Sequence, residues 1–129
     1  MKIKLSKLFM TGLTGLAVLS ATSMASAAQD CKMTNVKFKK GAYSASYNGK
    51  VKGWQCVSYK FSAKQGQTLN VNLTTKGNAE AVLYDADDFI QDQPYLLPKT
   101  GSYEIRVLQP KAAAIKNKTS SYNVNIEIR

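Results

Sequence analysis

Four aspartates close together are the side chains in this sequence best suited to chemistry. They are Asp85, Asp87, Asp88 and Asp92. Carboxylate oxygens bind hard cations such as calcium, but this spacing does not match the twelve-residue calcium loop and no glutamate closes it. A pair of carboxylates is also the machinery of a glycosidase, yet nothing else in the sequence supports that activity. We therefore interpret the cluster as a solvated acidic loop and expect no metal site.

Histidine is absent from the sequence. This removes the usual general base and a common zinc ligand. The sequence also lacks a phosphate-binding glycine loop and a dinucleotide fingerprint. These absences argue against an enzyme, so we expect no catalytic residue and no cofactor. A binding module or an inhibitor is the favoured class.

The two cysteines of the chain, Cys31 and Cys56, predict one disulfide bond. An exported protein meets an oxidising compartment, where an even number of cysteines usually pairs. The bond would hold the N-terminal part of the mature chain onto the strand that begins near Cys56. A catalytic thiol is the alternative, and it is weak because no histidine is available as its base.

The N-terminal residues 1–27 have the three parts of a secretory signal peptide. Three lysines precede an uncharged, largely apolar run from Leu8 to about Ala21, and small residues follow up to Ala27. The apolar run is shorter than the ~20 residues of a membrane span. A retained membrane anchor is the alternative, and a lipid anchor is less favoured because Asp30 precedes Cys31. We expect cleavage after Ala27, one domain over residues 28–129, a periplasmic location and no membrane segment in the mature chain.

The mature chain is strongly basic. The whole sequence has 18 basic and 8 acidic side chains, a net charge of +10, and removal of the three signal lysines lowers this to +7. Such a charge favours anionic partners, including wall polymers, lipid headgroups and acidic protein surfaces. Nucleic acid is the common partner of a basic domain, but export argues against it. Solubility alone is the other explanation for scattered lysines.

Apolar and polar residues alternate along several stretches of the mature chain, which is typical of half-buried strands. The alternating apolar positions are Val36 and Phe38; Val57, Tyr59 and Phe61; Leu69, Val71 and Leu73; Tyr103, Ile105 and Val107; and Tyr122, Val124, Ile126 and Ile128. A continuous apolar strand is expected at 81–84, and an edge strand at 95–97 between two prolines. Turn residues separate these strands. The pattern predicts an all-β, antiparallel β-sandwich of jelly-roll type, or a barrel.

Two segments lack this alternation and are predicted as loops. Residues 85–92 are acidic. Residues 110–119 are basic and rich in small side chains, and they accommodate one helical turn at 112–114. A loop of that length in a compact domain is often functional.

Six segments follow one another in order along almost the whole mature chain: 35–41 (NVKFKKG), 47–54 (YNGKVKGW), 59–67 (YKFSAKQGQ), 97–109 (LPKTGSYEIRVLQ), 116–119 (KNKT) and 122–124 (YNV). Together they resemble the family of periplasmic inhibitors of g-type (goose-type) lysozyme. The succession of Leu-Pro, Gly-x-Tyr and Arg-Val-Leu-Gln is the most specific part. The resemblance implies a β-sandwich that binds a goose-type lysozyme and blocks its substrate cleft.

The resemblance also implies which residues contact the lysozyme. Inhibitors of this kind often insert a Ser-Gly-x-Tyr-like turn, matched here by Thr100, Gly101, Ser102 and Tyr103. Threonine replaces serine in this turn and keeps the hydroxyl. A hydroxyl from Thr100 or Ser102 would bond a catalytic carboxyl group of the lysozyme. The strand pattern by itself makes Tyr103 an inward, core residue.

The resemblance implies further contact residues outside this turn. The family has an aromatic residue after a Lys-Gly pair, matched by Trp54, and two arginines in the loop after the Val-Leu-Gln element, matched by Lys111 and Ile115. Lysine keeps the charge but loses bidentate geometry, and Lys116 could supply the other cation. We expect these basic residues to neighbour the Thr100 turn and to block the cleft together with it. Without the resemblance, a role for Trp54 in covering the core is as well supported as a role in binding. Lys111, Lys116 and Arg106 are then expected to be solvated surface residues.

Two alternatives remain open at this point. A secreted carbohydrate- or wall-binding sandwich module would share parts of the pattern, and exposed aromatic side chains in a row would favour it. A cationic envelope protein that binds anionic polymer or lipid with little shape specificity would show salt-sensitive binding without a one-to-one partner.

Overall fold

Strands that follow one another along this chain lie in opposite sheets. The structure, a computed structural model, describes residues 31–129, so the predicted signal peptide and the boundary at residue 28 lie outside the described residues. The described elements are β1 (Cys31–Asn35), β2 (Ser44–Lys52), β3 (Cys56–Ala63), β4 (Thr68–Lys76), β5 (Glu80–Leu83), β6 (Tyr95–Leu96), β7 (Gly101–Leu108), α1 (Lys111–Ile115) and β8 (Thr119–Ile128).

The elements form two four-stranded sheets, as predicted for a sandwich. Sheet I has the order β1-β3-β7-β5 and sheet II the order β2-β8-β4-β6. All pairs are antiparallel except β1 with β3, which is parallel. The strict alternation between sheets is the double-sheet arrangement of a jelly roll. No helix of the described residues is long and apolar enough to cross a membrane.

The core lies between the sheets and is formed by the alternating apolar residues. Val71, Ile105, Val107, Val124 and Ile126 have no exposed surface. Each sits on the inward face of its strand, since side chains of a strand alternate between its two faces. The sequence prediction of these core positions is confirmed, and the predicted helical turn is also present as α1.

The N-terminal strands differ from the prediction. Val36 and Phe38 lie outside any strand, although both are half-buried against the core. The neighbouring strands β1 and β2 were not predicted. In β2 the inward position Gly49 faces Tyr122, and a β-carbon on it would lie 2.4 Å from the tyrosine oxygen. The close approach therefore requires a glycine, which weakened the apolar alternation in the sequence.

The connections between strands gather at two opposite ends of the sandwich. One end contains residues 53–55, 77–79 and 109–118, and we call it the Trp54 end. The other contains residues 36–43, 64–67, 84–94 and 97–100, and we call it the Thr100 end. β7 runs from one end to the other, and its eight residues span roughly 25 Å.

The predicted disulfide bond is present and joins Cys31 of β1 to Cys56 of β3. The two residues are register partners in the parallel pair, with Cα atoms 4.6 Å apart. The bond therefore fixes β1, which is an edge strand of sheet I, to its neighbour β3.

Removing this bond is expected to destabilise the protein. The double variant Cys31→Ala/Cys56→Ala should lower the free energy of unfolding by about 3 kcal/mol, because the unfolded chain regains the entropy of an open loop. Urea unfolding of both proteins measures the difference. Equal unfolding midpoints would show that β1 is held by its backbone pairing alone.

Candidate functional site

Trp54 projects from the tight turn between β2 and β3. The backbone N–H of Gln55 donates to the carbonyl of Lys52 (3.0 Å), and the N–H of Lys52 donates to the side-chain oxygen of Gln55 (2.9 Å). Gly53, at φ 58°, makes the bend. The indole is 63% exposed, so Trp54 does not cap the core, which was one of its two interpretations.

The helix α1 lies beside this turn and presents one apolar side chain to solvent. Ala113 and Ala114 are buried, whereas Ile115 is 62% exposed. Lys111 and Lys116 are exposed at the two ends of the helix. Asn117 then adopts a positive φ of 54°, a strained conformation for a residue with a side chain.

A buried glutamine connects the segments of the Trp54 end. Gln109 is 4% exposed, and its amide N–H groups donate to the carbonyls of Gly53 (3.2 Å) and Lys118 (2.8 Å). Its amide oxygen accepts from the hydroxyl of Ser120 (2.6 Å), which in turn accepts from the N–H of Asn78 (2.8 Å). One side chain thus ties together the three connections of this end. The sequence reasoning noted Gln109 only as part of a motif and missed this role.

Positive charge is concentrated at the Trp54 end. Its connections and the adjoining strand ends carry seven exposed lysines and one carboxylate, Glu80. The lysines are Lys32, Lys50, Lys52, Lys76, Lys111, Lys116 and Lys118. A surface of this kind attracts carboxylates, and the exposed indole and Ile115 supply apolar contact beside the charge.

The predicted inserted turn lies at the Thr100 end and is bonded to its neighbours. The hydroxyl oxygen of Thr100 accepts from the N–H of Gln65 (2.9 Å). The hydroxyl of Tyr103 donates to the carbonyl of Lys99 (2.5 Å) and accepts from its N–H (3.1 Å). The Tyr103 ring stacks on Phe61 with centroids 5.7 Å apart. Tyr103 is therefore a half-buried structural residue, as its strand position indicated, while Gly101 and Ser102 are exposed.

A groove of about 660 Å³ separates this turn from the acidic loop. Asp85, Asp87 and Asp88 line one side, and Lys60 and Lys99 are among the residues on the other. The described residues contain no group of three or more side chains that could hold a metal ion. The predicted acidic loop is present, with Asp85 at a positive φ of 63°.

The structure brings together only part of the predicted site. Trp54, Lys111, Ile115 and Lys116 lie around one end of β7, and the Thr100 turn lies at the other. A single cleft could not enclose both ends of a sandwich roughly 25 Å long. Lys111 and Lys116 are therefore not neighbours of the Thr100 turn, contrary to the expected arrangement.

The outer face of sheet I carries an ion pair that the sequence did not predict. Arg106 is only 21% exposed, lies 4.0 Å above the ring of Tyr84 and donates to Glu104 (2.7 Å). The hydroxyl of Ser58 also donates to Glu104 (2.6 Å). Burial raises the pKa of Glu104, but the hydrogen bonds from Ser58 and Arg106 outweigh it, so the pKa lies below its ordinary value. The expectation of a solvated Arg106 was wrong, because Tyr84 and Glu104 cover it.

The ionised form of Glu104 therefore stabilises the fold. Its contribution is present above the ordinary carboxyl pKa and is lost as the pH falls through the lowered value. Glu104→Gln should reduce the free energy of unfolding by about 1 kcal/mol at neutral pH and change it little at pH ~2. Urea unfolding of the wild type and the variant at both pH values measures the difference in the free energy of unfolding. An equal loss of stability at the two pH values would show that the charge of Glu104 is not responsible.

The described residues thus define a class: a disulfide-bonded β-sandwich with a cationic end that exposes an indole and an aliphatic side chain, a surface suited to binding a protein partner. No protein-family model matches the chain. The inhibitor of g-type lysozyme from Escherichia coli (strain K12) is 40% identical to this chain, and the match covers 88% of this chain and 91% of that protein. The chain therefore belongs to the family of inhibitors of g-type lysozyme, as its motifs indicated.

Solved structures agree with this assignment. A mutant of the periplasmic inhibitor PliG from Escherichia coli has a TM-score of 0.70 and 38% identity, and covers 78% of this chain and 100% of its own. PliG from Salmonella Typhimurium has a TM-score of 0.68 and 35% identity, with coverage of 76% and 98%. PliG from Aeromonas hydrophila has a TM-score of 0.69 and 25% identity, with coverage of 77% and 97%. All three are described as periplasmic inhibitors of g-type lysozyme, so these relatives are inhibitors and not enzymes.

Proposed function

We propose that this protein is a periplasmic inhibitor of goose-type lysozyme. The proposal is supported by 40% identity to such an inhibitor over most of both chains and by the shared sandwich fold. The partner is the lysozyme itself, and no cofactor is needed. The predicted signal peptide accounts for the periplasmic location.

We further propose that the Trp54 end, and not the Thr100 turn, enters the substrate cleft. The observation that carries this is an exposed indole among lysines, next to an exposed Ile115, on a base held by buried Gln109. A lysozyme cleaves its glycosidic bond with carboxyl groups in a cleft. Lys111 and Lys116 can pair with such carboxylates, and exclusion of water strengthens the contact.

The Thr100 turn is less suited to the same task. The polar group of Tyr103 is used within the turn itself, although the hydroxyl proton of Thr100 is free to donate. Asp85, Asp87 and Asp88 lie across the adjacent groove and would repel a cleft that contains carboxylates. A role for Thr100 to Tyr103 in contact with lysozyme therefore stays a prediction.

The alternative of a wall-binding module predicted a row of exposed aromatic residues. The most exposed aromatic side chains of residues 31–129 are Tyr43, Trp54 and Tyr84. Tyr43 lies at the Thr100 end, Trp54 at the opposite end, and Tyr84 next to the outer face of sheet I. They do not form a row, so this arrangement does not favour a stacking platform for sugars as the main function.

The test is a titration of cell-wall lysis by a goose-type and by a chicken-type lysozyme with the purified mature protein. We expect stoichiometric loss of goose-type activity. The variant Lys111→Ala/Lys116→Ala should inhibit about tenfold more weakly. The control variant Lys39→Ala/Lys40→Ala, which loses the same charge at the Thr100 end, should match the wild type.

The outcomes separate the two parts of the proposal. Absence of inhibition by the wild type would refute the function. Inhibition that is weakened by Thr100→Ala but not by Lys111→Ala/Lys116→Ala would keep the function and move the binding site to the Thr100 turn.

A further inference from the structure

Across its three long strands, β2, β8 and β4, the outer face of sheet II is polar and rich in asparagine. Four rows of register partners across β2, β8 and β4 give twelve outward positions, and none is apolar. The rows are Lys50, Ser121 and Lys76; Asn48, Asn123 and Thr74; Ser46, Asn125 and Asn72; and Ser44, Glu127 and Asn70. Five of the twelve are asparagines.

Solubility alone does not require this composition. Asparagine is disfavoured in strands, whereas threonine and other β-branched residues fit them well. An outer face of threonine and lysine would be as soluble and more stable. The concentration of amides on one face therefore indicates a use for their hydrogen-bonding groups.

Two of the four rows line a groove of about 590 Å³. Asn48, Lys50, Thr74, Lys76, Ser121 and Asn123 contribute to it. The amide of Asn123 donates to that of Asn48 (3.0 Å). Since each amide has two donor hydrogens and an acceptor oxygen, this bond leaves most of their capacity directed to solvent. The groove thus offers neutral donors and acceptors along its floor.

The charged residues of the groove indicate that its ligand carries negative charge. Lys50 and Lys76 flank its central strand, about 10 Å apart over two strand spacings. No carboxylate lines the groove, and neither lysine belongs to an ion pair among the described residues. The site therefore fits a ligand that combines hydroxyl and amide groups with negative charge.

We propose that this groove binds a carboxylated amino-sugar glycan, the chemistry of the bacterial wall polymer. Asn48, Asn123 and Thr74 bond the hydroxyl and acetamido groups, and Lys50 and Lys76 pair with carboxylates on the chain. The groove adjoins the Trp54 end, since Lys50 and Lys76 belong to both, so binding to the glycan is measured without lysozyme. It would hold the protein on the polymer that a lysozyme attacks.

The test is co-sedimentation of the purified mature protein with peptidoglycan sacculi, without lysozyme. We expect saturable binding. Asn48→Val/Asn123→Val should weaken it about tenfold through loss of one or two hydrogen bonds. Lys50→Gln/Lys76→Gln should weaken it at low salt and less so at high salt, where charges are screened.

The matched control is Ser46→Val/Asn125→Val. This pair carries the same kind of hydrogen bond (2.8 Å) one row away and does not line the groove. It should bind sacculi like the wild type. Valine favours strands, and thermal unfolding checks that both variants are folded.

Three results would overturn the proposal: no saturable binding by the wild type, equal loss in the groove and control variants, or equal competition by polyglutamate, an anionic polymer without sugars. None of them bears on inhibition of lysozyme, which is measured separately.

Discussion

Replacing Trp54 with alanine should weaken inhibition of a goose-type lysozyme by about 30- to 150-fold, with little change in the stability of the inhibitor. Tryptophan is a frequent hot-spot residue, and loss of such an anchor costs about 2–3 kcal/mol of binding energy. The side chain is 63% exposed in the free protein. Its apolar surface is therefore not buried in the fold, and the complex that we propose would bury it.

The measurement is the inhibition constant from wall-lysis rates, together with thermal unfolding. Tyr43→Ala is the matched control, because Tyr43 is 60% exposed and lies at the Thr100 end. It should inhibit like the wild type. If Tyr43→Ala weakened inhibition and Trp54→Ala did not, the orientation proposed for the complex would be reversed.

Replacing Gln109 with leucine should lower both stability and inhibition. Leucine has a similar volume but leaves the carbonyl of Gly53 and the hydroxyl of Ser120 without this partner, while the carbonyl of Lys118 keeps its bond from the N–H of Gly53 (2.9 Å). Each buried group that loses its partner costs about 1–3 kcal/mol, so the free energy of unfolding should fall by about 4 kcal/mol. The turn that carries Trp54 and the segment after α1 would then be joined only by the backbone bond from Gly53 to Lys118.

Gln109→Leu should inhibit lysozyme more weakly than the wild type even under conditions in which the variant is fully folded. Binding would then include the cost of ordering the Trp54 end, which the wild type avoids. Denaturant unfolding and inhibition at a temperature well below the transition measure the two effects.

Gln67→Leu is a control for the general cost of removing a glutamine that bonds the backbone. Gln67 lies at the Thr100 end, where its side-chain oxygen accepts from the N–H of Lys64 (2.7 Å). It should lower stability but leave inhibition of the folded protein unchanged. Full inhibition by folded Gln109→Leu would mean that Gln109 acts only on stability.

The position of the glutamine also explains how this end tolerates strain. Gly53 and Asn117 both have positive φ, and the β-carbon that Gly53 lacks would lie 2.6 Å from the side-chain oxygen of Asn117. Such conformations persist when surrounding contacts fix them. Here the bonds of Gln109 to both connections provide that support, so a short turn and a five-residue helix can present Trp54 and Ile115 as one surface.

The sequence by itself determined the class of fold and much of its core. Alternation places Ile105, Val107, Val124 and Ile126 inward, because the side-chain period of a strand is two. Two cysteines in a chain with a predicted signal peptide were sufficient to predict the disulfide. The family also followed from the sequence, since its motifs are local and keep their order.

Local sequence patterns predicted the structure less well where contacts between distant residues determine which side chain is required. β2 has a glycine at position 49 because the ring of Tyr122 occupies the space that a side chain would need. Tyr122 lies on a strand more than seventy residues later in the sequence. Arg106 was predicted to be solvated because Tyr84, the residue that covers it, comes from a distant part of the sequence, just after β5. In both cases the deciding contact is distant in the sequence.

Only the tertiary structure decided which candidate residues lie together. The turn at Thr100 and the lysines at 111 and 116 are close in sequence, yet β7 separates them by its full length. An extended strand advances about 3.4 Å per residue, so eight residues carry the chain across the whole sandwich. Conversely, Trp54 is more than fifty residues from α1 and lies beside it, because β2 pairs with β8 as far as Lys52 and Thr119 and both the N–H of Gly53 and the side chain of Gln109 bond the carbonyl of Lys118. Sequence separation therefore does not determine distance once strands cross a sandwich, and the surface that we propose for binding depends on which strand ends meet at one end of it.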